Sequence, residues 1–360
     1  MEKSENRVEL LSLGYDGLVS LLLSIGEPKY RADQIFPQLH RGLSPSEMTN
    51  VGKRVGAEIE KVAYYSLPSV RRKLVSAIDG TVKYLFELSD GNCVESVVME
   101  YHHGLTICIS SQVGCRMGCA FCASTIGGKV RDLTPGELLG QIIAAEKDLG
   151  KRISNIVMMG IGEPLDNYDN VLQFLRLVND PRGICIGYRH ISLSTCGLAD
   201  RIDDLAREDL PITLSISLHA ADNETRSSIM PVNRKYSIER LLDSCRRYYD
   251  ATGRRISFEY TLIEGKNTSE ASAERLAALL NSSLRPGKGT LPIHVNLIPV
   301  NDVAERGFTH PKTEEIKRFA AILEKRGIRA TVRRKLGPDI NASCGQLRRA
   351  VTEKEEKPEN

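Results

Sequence analysis

The chain has 360 residues, 41% hydrophobic and 26% charged, with no tryptophan and a formal net charge of +3. That length suits one large α/β domain with a small companion, and the composition is that of a folded soluble protein, not a disordered or fibrous one. So mild a charge neither requires nor excludes a nucleic-acid partner, because a local basic patch can bind phosphate on a nearly neutral protein.

The opening MEKSENRVEL is charged and lacks the apolar centre of a signal peptide. No apolar run approaches the length of a membrane span, so the expectation is a cytoplasmic protein with no membrane attachment. Nine cysteines in a reducing compartment are poor material for a disulfide framework; clustered ones suggest metal or redox chemistry. Residues 1–68 read as a small helical module, with YDGLVSLLLSIG and KYRADQIFPQLHRG each carrying apolar positions at helical spacing and each stopping at a glycine. Period-two patterns take over in 69–104, where KLVSAIDGTVKYLFEL predicts a hairpin with a glycine-containing turn and CVESVVMEY a further strand.

From residue 105 to 334 strands alternate with helices. Strands are predicted at 105–110, 153–159, 190–195, 212–217, 256–262 and 293–298, with helical patterns such as TPGELLGQIIAAEKDLG and SIERLLDSCRRYYDATG between them. Six successive β–α units imply a parallel sheet, either open or curled into a full or partial barrel. One more strand, IRATVRR, leads into a tail, 335–360. The basic clusters Arg71-Arg72-Lys73 and Arg333-Arg334-Lys335 read as solvated surface or as phosphate contacts.

Polar and small residues gather where these strands end: GIGEP (160–164) after the second, Ser194 and Thr195 on the third, Ser217, Leu218 and His219 on the fourth, Asn296 and Asn301 at or beyond the sixth. Ligands of β/α folds bind at the carboxyl ends of the strands, so one active site on one face is expected. The first strand is followed by SSQVGCRMGCAFCAST, with Cys115, Cys119 and Cys122 spaced C-x3-C-x2-C and Phe121 before the last. Thiolates suit zinc or iron–sulfur clusters. A structural zinc needs a fourth ligand, available only as Cys108, His102 or His103. A cubane held by three cysteines keeps one iron free to chelate a small molecule, and an electron carrier would usually supply four cysteines.

This spacing resembles that of the radical S-adenosylmethionine (SAM) superfamily, in which the free iron of a [4Fe-4S] cluster holds the amino and carboxylate groups of SAM. The order of CISSQVGCRMGCAFCAST, MMGIGEPLDN, LSTCG, SISLHA, MPVNRKY, VNLIPVN and DINASCGQL is similar, over nearly the whole chain, to that of the radical-SAM RNA methyltransferases of the RlmN/Cfr family. The resemblance implies a partial (β/α)6 radical-SAM barrel with a small N-terminal helical domain, an S-methylcysteine route and two SAM molecules per turnover. By position it assigns Cys344 as the methyl-accepting thiol, Cys108 as the thiol that resolves the adduct through a transient disulfide, and Glu95 as a proton acceptor. Cluster ligation falls to Cys115, Cys119 and Cys122, and SAM binding to Gly162, Glu163, Ser194, Ser217, Leu218, His219 and Asn301.

The implied partners are 23S rRNA, tRNA and a reducing electron donor such as flavodoxin or ferredoxin, acting on a monomer. The proline of GEPL and the LIPVN run resemble the branch that methylates adenine C2 more than the one that methylates C8. Ile161, Asn341 and Ser343 depart from the usual residues, the latter two bearing on how the tail is held. Cys93, Cys185, Cys196 and Cys245 match no family role.

Overall fold

The structure, a computed structural model, describes residues 7–285, 292–300, 307–334 and 336–342. Asn301 and Cys344 lie outside the described residues.

The N-terminal module contains β1 (Val8–Glu9), α1 (Tyr15–Ser24), α2 (Arg31–Leu39), α3 (Lys53–Val62) and β2 (Ala63–Tyr64), the two short strands pairing in parallel. β3 (Ser69–Val75), β4 (Val82–Glu87), β5 (Cys93–Tyr101) and β6 (Gly104–Cys108) follow as an antiparallel series. A two-stranded ribbon, β7 (Gln112–Gly114) and β8 (Lys129–Asp132), precedes α4 (Pro135–Leu149) and β9 (Ile153–Met158). The alternation then runs α5 (Tyr168–Asn179), β10 (Ile191–Thr195), α6 (Ala199–Leu205), β11 (Thr213–Ser217), α7 (Asn223–Ile229), α8 (Ile238–Thr252), β12 (Ile256–Leu262), α9 (Glu270–Leu284), β13 (Ile293–Pro299), α10 (Thr313–Lys325) and β14 (Arg329–Val332).

One ten-stranded sheet carries the order β14-β13-β12-β11-β10-β9-β6-β5-β4-β3. From β6 to β14 every pair is parallel, as six β–α units and one extra strand require. The sheet curls. Flat strands lie roughly 5 Å apart, which would hold β6 well away from β13, yet Cys108 of β6 and Ile298 of β13 line one cavity. The expected partial barrel is thus observed, and β3–β5 extend its wall past β6. Alternation along the strands sends Asn155, Ser192, Ser215, Ser257, His294 and Asn296 into a hollow interior. Their neighbours, among them Ile156, Leu193, Leu214, Phe258 and Val295, pack under the outer helices.

The helices begin where the local chemistry supplies acceptors for their first N–H groups. Thr134 and Glu137 form a capping box at α4, and Ser237 and Ser269 cap α8 and α9. Gly150 and Gly253 close α4 and α8 in the left-handed conformation. The N-terminal module shares the barrel's hydrophobic core. Ser12 accepts from Gly136 N at 2.9 Å and Lys147 Nζ donates to the Gly42 carbonyl at 2.8 Å, so α4 is the seam.

A second contact between module and barrel is made by His40, which sits against Phe36 with Nδ1 accepting from Ile184 N at 3.3 Å. Burial pulls its pKa from 6.5 down to about 4. Below pH 6.5 the unfolded chain gains a proton here that the native chain refuses until about pH 4, so this contribution to stability is present above 6.5 and lost as pH falls to 4. His40→Gln is expected to narrow its stability deficit against the parent protein by about 2–3 kcal/mol between pH 7 and 4.5. Urea unfolding at both pH values measures it; an unchanged deficit would show that His40 does not titrate this way. No described helix is long and apolar enough to cross a membrane.

Candidate active site

The three cysteines occupy the loop of the β7–β8 ribbon, a feature absent from the expectations above. β7 and β8 pair antiparallel, and Cys115 N donates to Gly128 O at 2.9 Å, closing the loop at its base. Gly114 has φ +79°, and a Cβ there would lie 2.0 Å from Gly128 O, so only glycine fits. Inside the loop Cys122 N donates to Cys119 O at 3.2 Å, and the Thr125 hydroxyl donates to the Cys119 and Cys122 carbonyls. Ala120 N reaches Ile229 O at 2.8 Å, tying the loop to the end of α7.

All three cysteines line one cavity of about 210 Å³ at the carboxyl ends of the strands. Burial, joined by the neighbouring thiolate, pushes Cys115 up to about 12 and Cys119 upward as well. Thiols so placed ionise only against a cation, which fits a metal centre that releases protons on loading. Among the described residues no three His, Cys, Asp or Glu side chains form a group able to hold a single metal ion. Cys108 lines a different cavity, and His102 and His103 sit in the β5–β6 turn, at the other end of β6. None of these three candidates for a fourth zinc ligand lines the cysteine cavity. Separate thiolates, each on its own iron of one cluster, suit the arrangement.

GIGEP follows β9 and packs on residues 109–112. Gly160 N donates to Ile109 O at 3.0 Å, while Ser111 N and Gln112 N donate to Ile161 O. A Cβ at Gly160 would meet Ile109 O at 2.5 Å, and one at Gly162, whose φ is +110°, would meet Gln112 N at 2.7 Å. Chain-to-chain approach thus accounts for both glycines, which also line the cavity. Glu163 is buried there, its Oε1 accepting from Leu165 N at 3.0 Å and its Oε2 from Cys196 N at 2.7 Å. Burial raises its pKa and these donors oppose the rise.

Ser194, Ser217 and His219 line the same cavity. His219 has φ +56°, an unusual state for a side chain with a Cβ. Its Nδ1 accepts from Thr261 N at 2.9 Å, its ring meets Phe121 edge-on, and burial pulls its pKa down to about 3. The imidazole is therefore neutral, with its proton on Nε2. Leu218 differs: its side chain is in the core, its N–H goes to Glu259 O and its carbonyl to Arg226.

Cys108 and Glu95 line a second cavity of about 230 Å³, which shares Met159, Gly160, Ile298 and Arg333 with the first. Register explains the pairing. Cys108 is opposite Val97, and Glu95, two residues from Val97, shares its face. Burial pushes the Cys108 thiol up. Ala342 lines this cavity too, two residues before Cys344 in the chain. No disulfide joins any of the eight described cysteines.

Sequence reasoning missed several residues that hold this site. Gln112 is buried, donates to Asp132 at 2.8 Å and Asp166 at 2.9 Å, and accepts from Glu163 N at 2.9 Å. Arg116 and Lys129 also pair with Asp166. Burial pushes the Asp166 carboxyl up, but these partners outweigh it and hold the pKa low. Glu259, between the cavity and the barrel interior, accepts from Asn296 at 2.7 Å, and burial raises its pKa. The signal for Gln112 was its place in SSQVGC; for Glu259 there was none beyond a charge inside a strand.

Three thiols in a ribbon loop, two of them buried, face a cavity at the carboxyl edge of a partial barrel as in a radical SAM enzyme, and residues 109–276 match the radical SAM superfamily. Probable dual-specificity RNA methyltransferases RlmN from Alkaliphilus oremlandii and Clostridium acetobutylicum are each 52% identical, covering 95% and 92% of this chain and 98% and 94% of their own. A crystal structure of a radical SAM methyltransferase from Sphaerobacter thermophilus superposes with a TM-score of 0.88 at 42% identity, covering 94% of this chain and 98% of that one. The chain belongs to the RlmN family of radical SAM RNA methyltransferases.

Proposed function

We propose that this enzyme methylates C2 of an adenine in 23S rRNA, and C2 of an adenosine in the tRNA anticodon arm, using Cys344 as a methyl carrier. The observation that carries the reading is the adjacency of the two cavities. A cysteine-lined chamber shares Met159 and Gly160 with a second chamber, which is lined by Cys108, Glu95 and the tail residue Ala342.

Cys115, Cys119 and Cys122 would hold a [4Fe-4S] cluster; Gly160 to Glu163, Ser194, Ser217 and neutral His219 would seat SAM beside it. When bound, this pair supplies a hydrogen-abstracting radical, the one ingredient the side chains lack. An amidine carbon is not a nucleophile, so polar transfer to C2 or C8 fails and the chain must instead present a methyl group from which hydrogen can be removed. Cys344 would take that methyl group from a first SAM, losing its thiol proton as S-adenosylhomocysteine leaves. Once the resulting carbon has joined the ring, Glu95 accepts the ring proton and rearomatisation returns one electron to the external carrier. Cys108 loses its proton and attacks the Cys344 sulfur, the carbon leaves with the C–S electron pair and is protonated to methyl, and a Cys108–Cys344 disulfide remains. A flavodoxin- or ferredoxin-class reductant supplies the initial electron and reopens the disulfide; a monomer suffices. Adenine must leave its stack to reach the chamber, which favours single-stranded or flipped targets.

The GEPL proline, Pro164, and LIPVN support C2, and relatives named as dual-specificity enzymes support both RNA classes. The test is anaerobic turnover with reductant, SAM, an rRNA fragment and purified tRNA, the products compared with 2- and 8-methyladenosine by mass spectrometry. 2-Methyladenosine in both RNAs is expected. 8-Methyladenosine would place the enzyme on the other branch, and unmodified tRNA would remove the dual activity.

A further inference from the structure

Beside Glu95, behind the lining of the second chamber, lies a charge that the mechanism has not used. Lys83 lies on β4, opposite Val97 of β5, and so faces the same side of the sheet as Glu95 and Cys108. It is fully buried, at 0% exposure, and Glu95 is 2% exposed. Lys83 Nζ is 3.0 Å from Glu95 Oε2, and it also donates to the Asn341 carbonyl at 3.0 Å. One ammonium thus touches both the carboxylate of the chamber and the segment leading to Cys344.

That segment is clasped on its other side by the β3–β4 turn. Asp339 accepts from the Ser76 hydroxyl at 2.7 Å and from Ala77 N at 2.9 Å, and Gly337 N donates to Asp79 at 2.9 Å. The bonds with Gly337 and Asn341 use only the tail's backbone. Asn341, with φ +45°, needs a residue that tolerates the left-handed region, which asparagine and aspartate both do. Asparagine in place of the commoner aspartate is accommodated for that reason.

A buried ion pair is a poor stabiliser, because desolvation consumes most of the attraction and an apolar pair of similar volume would often do as well. A pair retained at a cavity wall therefore calls for another reason. We infer that Lys83 is a positioning residue that couples docking of the 337–342 tail to the orientation of Glu95. With the tail seated, the ammonium is fixed between the Asn341 carbonyl and Glu95, which holds the carboxylate aimed into the chamber. The inference rests on the proposed roles of Glu95 and Cys344. Among the described residues, the charged and titratable groups around Glu95 are Lys83 from β4, Cys108 from β6, Arg333 and Arg334 after β14, and His310.

Lys83→Met removes the cation and with it the contact that orients the buried carboxylate. RNA methylation in saturating RNA should fall about a hundredfold, the scale of a misplaced proton acceptor, with little change in KM. Lys83→Arg should restore much of the rate. Asp339→Ala, at an exposed position, should lower the rate without moving the melting temperature. Cys344→Ala is assayed alongside. Should it methylate RNA normally, the tail reading itself is wrong. If Cys344→Ala is inactive while Lys83→Met keeps the parent rate, or Asp339→Ala keeps the parent rate, the coupling alone is overturned. A Lys83→Met chain that does not fold leaves Asp339→Ala to decide.

Discussion

Cys119→Ala is expected to yield a folded protein that binds substoichiometric iron and forms no methyladenosine. The loop around it is held by bonds that do not involve its sulfur: the β7–β8 ribbon, Cys115 N to Gly128 O, Ala120 N to Ile229 O, and Cys122 N to the Cys119 carbonyl. Its thiol packs with Ile229, Met230 and Val300, so its removal should cost about 1 kcal/mol of stability. Two thiolates cannot hold a cubane while leaving only one iron open. Cys196→Ala makes the contrast. Cys196 lines the same cavity and burial pushes its thiol well up; of its two ties to Glu163, one through the thiol and one through the backbone N–H, alanine retains the second. Iron and acid-labile sulfide per protein, measured after anaerobic reconstitution, should drop for Cys119→Ala and hold for Cys196→Ala. Equal iron in both would remove Cys119 from the ligand set.

Arg226→Met should be the most damaging change outside the cysteines. The side chain is 0% exposed. Its guanidinium donates to the carbonyls of Cys196 at 2.7 Å, Ser217 at 3.1 Å, Leu218 at 3.1 Å and Tyr236 at 3.5 Å, and to Asn233 Oδ1 at 3.0 Å. Cys196 follows β10, whereas Ser217 and Leu218 close β11, so one arginine staples the two strand ends that carry Ser194, Ser217 and His219. Methionine fills part of the volume but removes every one of these donors from the interior, the Leu218 carbonyl keeping only its bond from Ala220 N. A loss of about 3–5 kcal/mol follows, lowering Tm by roughly 10 °C. SAM binding should weaken as well, because the strand ends set the cavity's width. Thermal unfolding and equilibrium dialysis with SAM test the two halves separately; an unchanged Tm with unchanged SAM affinity would refute both.

Periodicity made much of this molecule legible beforehand. The β–α rhythm located the six barrel strands within a residue or two, because apolar runs and helix caps are local signals. The cysteine spacing pointed to a three-thiol centre for the same reason: ligand spacing within one loop is short-range. Long-range contacts were hidden. Lys83, in VKYLFE, reads as an outward-facing polar residue of a strand, yet β4 is buried almost throughout because barrel and tail cover its two faces. Arg226, in a run of polar residues, reads as surface and is instead wrapped by carbonyls from three segments. β3–β5 read as a hairpin and one further strand with no sheet assigned, because hairpins do not announce which sheet edge they join; β5 pairing with β6 makes them barrel wall. The β7–β8 ribbon escaped notice because three-residue and four-residue strands carry too little alternation to register.

The most direct test of the central claim is the electron paramagnetic resonance spectrum of the dithionite-reduced, reconstituted enzyme with and without SAM. The account predicts a reduced cubane signal that shifts when SAM is added, as the amino and carboxylate groups occupy the iron without a protein ligand. A signal that SAM leaves unmoved, or a protein that takes up no iron and sulfide under anaerobic reconstitution, would contradict it.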